Sequence, residues 1–583
     1  MHRQAGWLSF LWGRDVSIFA VLLVPLLPLL TALIVVVGGD HVSRVRAKIG
    51  AWPIAAAFCG AIATLYVVAT QGPIAIRLYD PVAALSVPIP FGFYIDRLSA
   101  VMMVLISAVG TIIYTYSIDY MYQDPHERRY LAMLGVAVFM LLCMVSSANL
   151  LMLFLFWQIL SYLLYILIHN HAHAETLEGA FRTFTILRVG DIAFLAGIVL
   201  AYQLYGTLEF PDLFAAAARS TSTVSVLPGV ELSGATTVTL LLFVGGMSKS
   251  AQFPLHIWLP RYLYAPTPVT ALLHAGIINA GGFLVNRLAP LFGLSSTTLH
   301  VAFVVGTLTA VLGASMMLAQ NDIKNMLGFS TIGQMGYMVM ECGLGAFSLA
   351  VFHLIAHGLF KATVFLNCGN VIGRARLEPH FPHPTHETEE EGYSNLTWVT
   401  GFVTTLLVPL LILLLTHGAL EIPLLELQGT VIFLFFIWIT SSQAILTLTR
   451  LRQIESWKVS ATMLLTLLFV VFVYLFALES FTTFLYPDPN EVASYFKAAE
   501  LPGRLFDMMI GAATLTTILG WCYVYMKARG RSLPVPVWIN AIRIRLYVLF
   551  LNRLYVDACV HRLGLLQRFA LQWFERHAEE WLS

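Results

Sequence analysis

GGMSKSAQFPLHIWLPRYLYAPTPVTALLHAGIINAGGFLVN, residues 245–286, is the stretch whose reading decides the fold. It sets Lys249, Gln252, His256 and His274 among residues that belong in a bilayer, and it adds Pro254, Pro260, Pro266 and Pro268, which a plain spanning helix would not carry. A buried ammonium beside a broken helix is the usual mark of an ion path in a membrane protein. Pro254 has no backbone donor and crowds the carbonyl of Ser250, so it predicts a helix break next to Lys249. The backbone groups freed there must find partners in protein or water. Desolvation penalises the charged form of any amine, which is the condition for handing a proton on.

Outward from this stretch the chain is apolar. Of 583 residues, 58% are hydrophobic and 11% charged, and the mean hydropathy is +0.79. Soluble domains carry about 25% charged residues, so the expected fold is an all-α polytopic membrane protein. Runs of about 20 apolar residues match the hydrocarbon thickness, whereas β-barrel strands would alternate apolar and polar residues. The net charge of +1 gives no sign of nucleic-acid binding. Six cysteines stand singly in apolar runs without metal-ligand spacing. The first apolar run follows Arg14–Asp15 without a small-residue cleavage site and reads as a retained helix, not a signal peptide.

The pattern predicts about fifteen transmembrane helices, near 17–38, 51–71, 95–118, 130–147, 149–168, 183–205, 236–258, 267–289, 299–319, 323–341, 345–371, 396–416, 429–449, 459–485 and 505–526. With the N-terminus outside, loops expected inside hold Arg44, Arg46, Lys48, Arg128, Arg129, Arg374 and Arg376, while Glu209, Asp212, Glu231 and Asp488 fall outside. That asymmetry supports an odd count and a cytoplasmic C-terminus. After residue 531 the spacing of Leu546, Phe550, Leu554 and of Leu565, Phe569, Trp573 predicts an amphipathic tail on the cytoplasmic side. His380, His383 and His386 lie three apart, but Pro379, Pro382 and Pro384 break any helix that would align them, so a solvated loop is expected.

Several spans carry polar stripes. Gln158, Tyr162 and Tyr165 share a face of the fifth, and Arg188 and Asp191 lie one turn apart in the sixth, where they can pair. Lys249, Gln252 and His256 are placed on one face of the seventh, with Lys249 more than two turns from either end; a lysine nearer an end would simply snorkel. His274 follows in the eighth. Lys324 opens the tenth, which also aligns Ser330 and Gln334. In the eleventh, His353, His357 and Lys361 fall on one stripe at successive turns, the spacing of a proton relay.

At this point the motifs GGMSKSAQFPLHIWLPRYLYAPTPVTALLHAG, IKNMLGFSTIGQMGYM and FHLIAHGLFKATVFL, with FGFYIDRLSAVM at the third span and the Arg-Val-Gly-Asp of the sixth, resemble a known family. It is that of the antiporter-type proton-translocating membrane subunits of respiratory complex I and of multisubunit cation/proton antiporters. The resemblance implies two inverted five-helix repeats, with the chain divided as 1–129 (N-terminal helices), 130–290 and 291–450 (the repeats), 451–530 (C-terminal helices) and 531–583 (tail). It implies breaks in the seventh and twelfth helices, at Pro254 and Pro409. It maps the ion-path lysines onto Lys249, Lys324 and Lys361 and the eighth-span histidine onto His274.

Three positions depart from the family pattern. Its fifth-span glutamate is Gln158 here, which cannot change charge. The twelfth span keeps Pro409 but has no central charge, with His417 at its outer end, and the long lateral helix of the largest complex I subunit is missing or shortened. These departures weigh against a complete redox-driven pump. The HAGIINAGGFLVNRLAPL stretch and short tail look most like the membrane subunit of the DAB-type inorganic-carbon accumulation complex. That likeness implies a large zinc partner resembling a β-carbonic anhydrase, no cofactor in this chain, and protons or sodium ions crossing to energise one-way CO2 hydration on that partner. The ion path would use Lys249, His274, Lys324, His353, His357 and Lys361, with Gln158, Arg188 and Asp191 as coupling groups. The alternatives are a proton-pumping subunit of a complex I-like dehydrogenase or hydrogenase or of a cation/proton antiporter, and a scaffold that no longer conducts.

Overall fold

Residues 15–37, 44–79, 90–168, 174–264, 266–377, 479–528 and 537–556 are described by the computed structural model of the protein. They are mainly helical, as the apolar runs require. The first six long helices are α1 (Asp15–Val36), α2 (Arg44–Gln71), α3 (Arg97–Tyr120), α4 (Glu127–Val145), α5 (Leu150–Ile168) and α6 (Ala174–Tyr205). Then come the short α7 (Phe210–Arg219) and α8 (Gly234–Lys249). Among the described residues, eight helical segments are long and apolar enough to cross a membrane. The expected spans 396–416 and 429–449, most of 459–485, the breaker Pro409 and His417 lie outside the described residues.

Two small antiparallel hairpins interrupt the helices: β1 (Ile74–Tyr79) with β2 (Phe91–Ile95), and β3 (Thr223–Leu227) with β4 (Val230–Ser233). Neither is foreseen from hydropathy, because each is too short to register in a window sized for a membrane span. Gly229, at φ +82°, makes the tight turn between β3 and β4. Just after β2, Asp96 caps α3 by accepting from the Ser99 amide at 2.9 Å. The chain therefore enters α3 through an extended segment, not at residue 95 as a continuous span.

The centre of the molecule is the irregular segment foreseen at 245–286, but its course differs from the expectation. The seventh span is not one helix across 236–258. α8 stops at Lys249, Ala251 takes φ +49°, and a 3-10 helix runs Leu255–Tyr264. Ser250 and Pro254 end the helix one turn earlier than a single kink at proline would. Lys249, Gln252 and His256 consequently do not share a helical face, and Lys249 is the last residue of its helix. The eighth span is interrupted too: α9 (Thr267–Ala275), a 3-10 turn at Ile277–Asn279, then α10 (Ala280–Arg287) and α11 (Ala289–Phe292). Every residue from Thr267 to Arg287 except Gly276 is buried. Irregular backbone is tolerated at that depth because protein surrounds it.

α12 (Ser296–Ala319), α13 (Ile323–Gly343) and α14 (Phe347–Leu377) flank this centre. α12 and α13 approach backbone to backbone along Gly306, Gly313, Gly336 and Gly343, where any Cβ would strike the facing main chain. Further along the chain come α15 (Pro489–Ala498), α16 (Gly503–Ala528) and α17 (Val537–Leu551). α17 has no buried residue, and Trp538, Ile542, Ile544 and Leu546 are all exposed. Its apolar residues encircle it instead of forming the single stripe expected; Phe550 and Leu554 pack on the core.

Candidate ion-translocation site

The first cluster forms where α8 ends. Lys249 is fully buried. Its ammonium donates to the Trp157 carbonyl at 3.2 Å and to Ser161 Oγ, and lies 4.9 Å from the centre of the Trp157 ring. Ser161 follows Trp157 by one turn of α5, so a single helix face supplies both oxygens. The Trp157 indole N–H donates to Asp191 Oδ1 at 2.8 Å. The other carboxylate oxygen is 2.8 Å from Arg188, one turn back on α6, and Arg188 also donates to Gln158 Oε1. Gly190 allows this: a Cβ there would overlap the Ser248 side chain, so only glycine brings α6 so near α8. The chain Lys249–Trp157–Asp191–Arg188–Gln158 is thus continuous, alternating cation, dipole, anion, cation and amide.

The second cluster lies between the antiparallel helices α13 and α14. Lys361, 1% exposed, donates to Ser330 Oγ at 3.0 Å and to the Leu327 carbonyl at 3.4 Å. One turn back, His357 is buried, its ring 6.1 Å from that of His353. His353 Nδ1 is 3.0 Å from Glu341 Oε2, and its Nε2 is 3.0 Å from Gln334 Oε1. From α9, the fully buried His274 stacks on Phe365 at 4.4 Å. His274, His357 and Lys361 lie within electrostatic reach of one another. Among the described residues the ring nitrogens of His274 and His357 have no hydrogen-bond partner, so no neighbour fixes the tautomer of either ring.

A narrow seam joins the clusters. Ser250, next to Lys249, donates to the Ile278 carbonyl at 2.7 Å, one turn beyond His274. Gly246 and Gly281 bring the backbones of α8 and α10 together at the same level. Gln252 turns back onto the Ser250 carbonyl at 2.9 Å, and Phe253, which stacks on His256 at 5.5 Å, bonds Thr309 through its amide.

Of the six path residues, Lys249 therefore lies in the first cluster and His274, His353, His357 and Lys361 in the second, with Lys324 apart from both. α13 and α14 run antiparallel, which puts Glu341 and His353 at one end, Lys361 and Ser330 further along, and Lys324, beside Cys368, at the other end. Lys324 does not lie between His353 and His274. Sequence reasoning missed Trp157, Ser161 and Glu341. Trp157 directly precedes Gln158, but nothing in its own residue type or spacing marks it as a partner of Lys249. Glu341 is the only carboxylate between Ile323 and Leu377, and that isolation in an apolar stretch is the signal that points to it.

Discontinuous helices, an enclosed lysine at the end of one of them and a histidine–lysine stripe on another define an antiporter-type ion-translocating membrane subunit. The chain belongs to that family: the family described as "NADH:quinone oxidoreductase/Mrp antiporter, TM" matches residues 147–451, and "NADH-Ubiquinone oxidoreductase (complex I), chain 5 N-terminus" matches residues 82–131. Over 552 residues it is 38% identical to the probable inorganic carbon transporter subunit DabB1 of Halothiobacillus neapolitanus, covering 93% of this chain and 96% of that one. It is also 38% identical to NADH-quinone oxidoreductase subunit L of Neisseria meningitidis over 321 residues, which span 54% of this chain and 47% of that subunit. In fold it is similar to the Mrp complex from Dietzia sp. DQ12-45-1b (TM-score 0.55, 21% identity, 97% of this chain and 60% of that one). It is similar as well to the membrane-bound sulfane sulfur reductase, an archaeal respiratory membrane complex (TM-score 0.56, 18% identity, 83% of this chain and all of that one).

Proposed function

We propose that the chain is the ion-conducting membrane subunit of an inorganic-carbon accumulation complex in a bacterial cell inner membrane, with its N-terminus outside and its C-terminus cytoplasmic. Its partner is a large zinc-binding subunit resembling a β-carbonic anhydrase at the cytoplasmic face, and one-way hydration of CO2 takes place there. The near full-length similarity to DabB1 supports this reading over that of a respiratory pump, whose curated representatives align over about half their length. The observation that carries conduction is the enclosed ammonium of Lys249, tied through Trp157 to the Asp191–Arg188 pair.

In this mechanism a proton, or a sodium ion in its place, moves down its gradient along the stripe of His353, His357 and Lys361 with His274, and crosses at the Ser250–Ile278 seam to Lys249. A change of charge on Lys249 alters its hold on Trp157 and hence the indole's bond to Asp191. The shift is passed through α5 and α6 to the partner. One charge crossing 100 mV releases about 2.3 kcal/mol, a bias of roughly 50-fold on a partner equilibrium.

The test is to purify the chain with its native partners, assay for zinc, and measure growth rescue at low CO2. A zinc-bearing partner and loss of rescue in Lys361→Ala at normal expression are expected. Quinone- or hydrogenase-type partners without zinc would instead favour the complex I-like reading that the subunit L similarity allows. Undiminished rescue would count against the path itself.

A further inference from the structure

Glu341 stands outside everything the family pattern assigns. It is the most enclosed carboxylate among the described residues, 2% exposed, at the end of α13 remote from Lys324. A carboxylate without water is costly unless it is paired or protonated, and its partner is the first member of the relay stripe, His353, at 3.0 Å. That end of the helix pair is covered by α15: Tyr495 packs on Phe347 at 5.1 Å and is itself bound to Glu491 at 2.5 Å. The titratable groups facing the pair are His357 on α14, Cys342 beside Glu341 and Tyr337 on α13, whose ring lies 5.2 Å from that of His353, and from the covering segment Tyr486 acts on Cys342.

The hydrogen bonds of His353 define what the pair can hold. With Nε2–H donated to Gln334 Oε1, Nδ1 either accepts the proton of a Glu341 carboxylic acid or donates its own to a Glu341 carboxylate. The two forms differ by one proton moved across one hydrogen bond, and both are neutral overall. Releasing that proton leaves a carboxylate beside a neutral ring. Gln158 holds no such proton, since an amide does not titrate.

We propose that Glu341, coupled to His353, is the proton-loading station of the second cluster and supplies the exchangeable carboxyl group that the fifth helix lacks at Gln158. The inference rests on the conducting role proposed above. It places a titrating carboxyl at the end of the stripe remote from Lys324, with His357 and Lys361 following at successive turns.

The experiment reconstitutes the intact native complex into liposomes and follows proton uptake with a trapped pH dye across a pH series. Glu341→Gln, nearly the same in shape but unable to titrate, is expected to lower flux about tenfold or more, as loss of a positioned proton carrier does. Glu341→Asp is expected to keep flux but displace its pH profile, which a purely structural carboxylate would not do. The wild type should also show a carboxyl band in proton/deuteron difference infrared spectra that Glu341→Gln removes. Should Glu341→Gln fail to assemble, the pH profile of Glu341→Asp decides. Wild-type flux matched by Glu341→Gln, or an unmoved Glu341→Asp profile, overturns the station while leaving conduction intact. No flux in the wild type overturns conduction itself.

Discussion

Replacing Lys249 by methionine separates a group kept for function from one kept for stability. The ammonium is fully buried and makes two hydrogen bonds and one contact with the indole face. Hydrogen bonds from a charged donor contribute about 1.5–3 kcal/mol each, and a desolvated cation–π contact about 2 kcal/mol. Against these stands a desolvation cost of several kcal/mol for one ion. Asp191 offsets that cost only from a distance, because it is already bound to Arg188 and the indole. Methionine fills much the same volume. The two oxygens it leaves behind satisfy each other, since Ser161 Oγ already donates to the Trp157 carbonyl at 3.0 Å. The opposing terms are of like size, so the net change in stability is expected to lie within about 2 kcal/mol of zero. Proton flux through the reconstituted complex should fall to background. The measurement is the apparent melting temperature of the purified complex beside flux in liposomes. A variant that melts well below wild type yet still conducts would refute the assignment of Lys249.

Two further substitutions probe the connections. Asp191→Asn keeps an acceptor for the Trp157 indole but leaves Arg188 without its anion; because Arg188 is 32% exposed, the destabilisation is expected near 1–2 kcal/mol, short of the 3–5 kcal/mol for a fully buried pair. Flux should drop while complex assembly, read by size-exclusion chromatography, persists. Gly281→Ala puts a methyl against the Gly246 carbonyl and Ser250 Oγ; forcing α8 and α10 apart should cost about 1–3 kcal/mol and weaken flux even though no titratable group is touched, and normal flux in this variant would mean that the seam carries nothing.

The polar residues that titrate were legible in the sequence because a charge in an apolar run has few bland explanations. Lys249, His274, His353, His357 and Lys361 were all named from that contrast alone. What was not legible is what holds them. Trp157 and Ser161 are ordinary residues of a membrane helix, and their role comes from a contact 88 to 92 positions away in sequence, which no local periodicity encodes. The exact course of the seventh span met a related limit, although Pro254 marked its break. A hydropathy window averages over α8 and the 3-10 helix after it, so it reported one span where the backbone turns between Lys249 and Leu255. The same averaging hid the hairpins at 74–95 and 223–233.

The separation into two clusters changes what coupling must mean here. In a single file of titrating groups, each proton would simply push the next. With the clusters joined by Ser250 and Ile278, movement on one side can reach the other through the junction of α8, α9 and α10. That junction is built from helix ends and a 3-10 turn, where the regular backbone hydrogen bonds of a helix are interrupted. Gly246 and Gly281 hold it close while leaving no side chains to interlock. A lysine at the last residue of α8 is then well placed: a change in its charge acts on a helix terminus that can shift, and on a tryptophan whose indole already grips the Asp191–Arg188 pair on the neighbouring helix. In the mechanism proposed above, the break in the chain supplies the moving part, and the buried ammonium supplies the force on it.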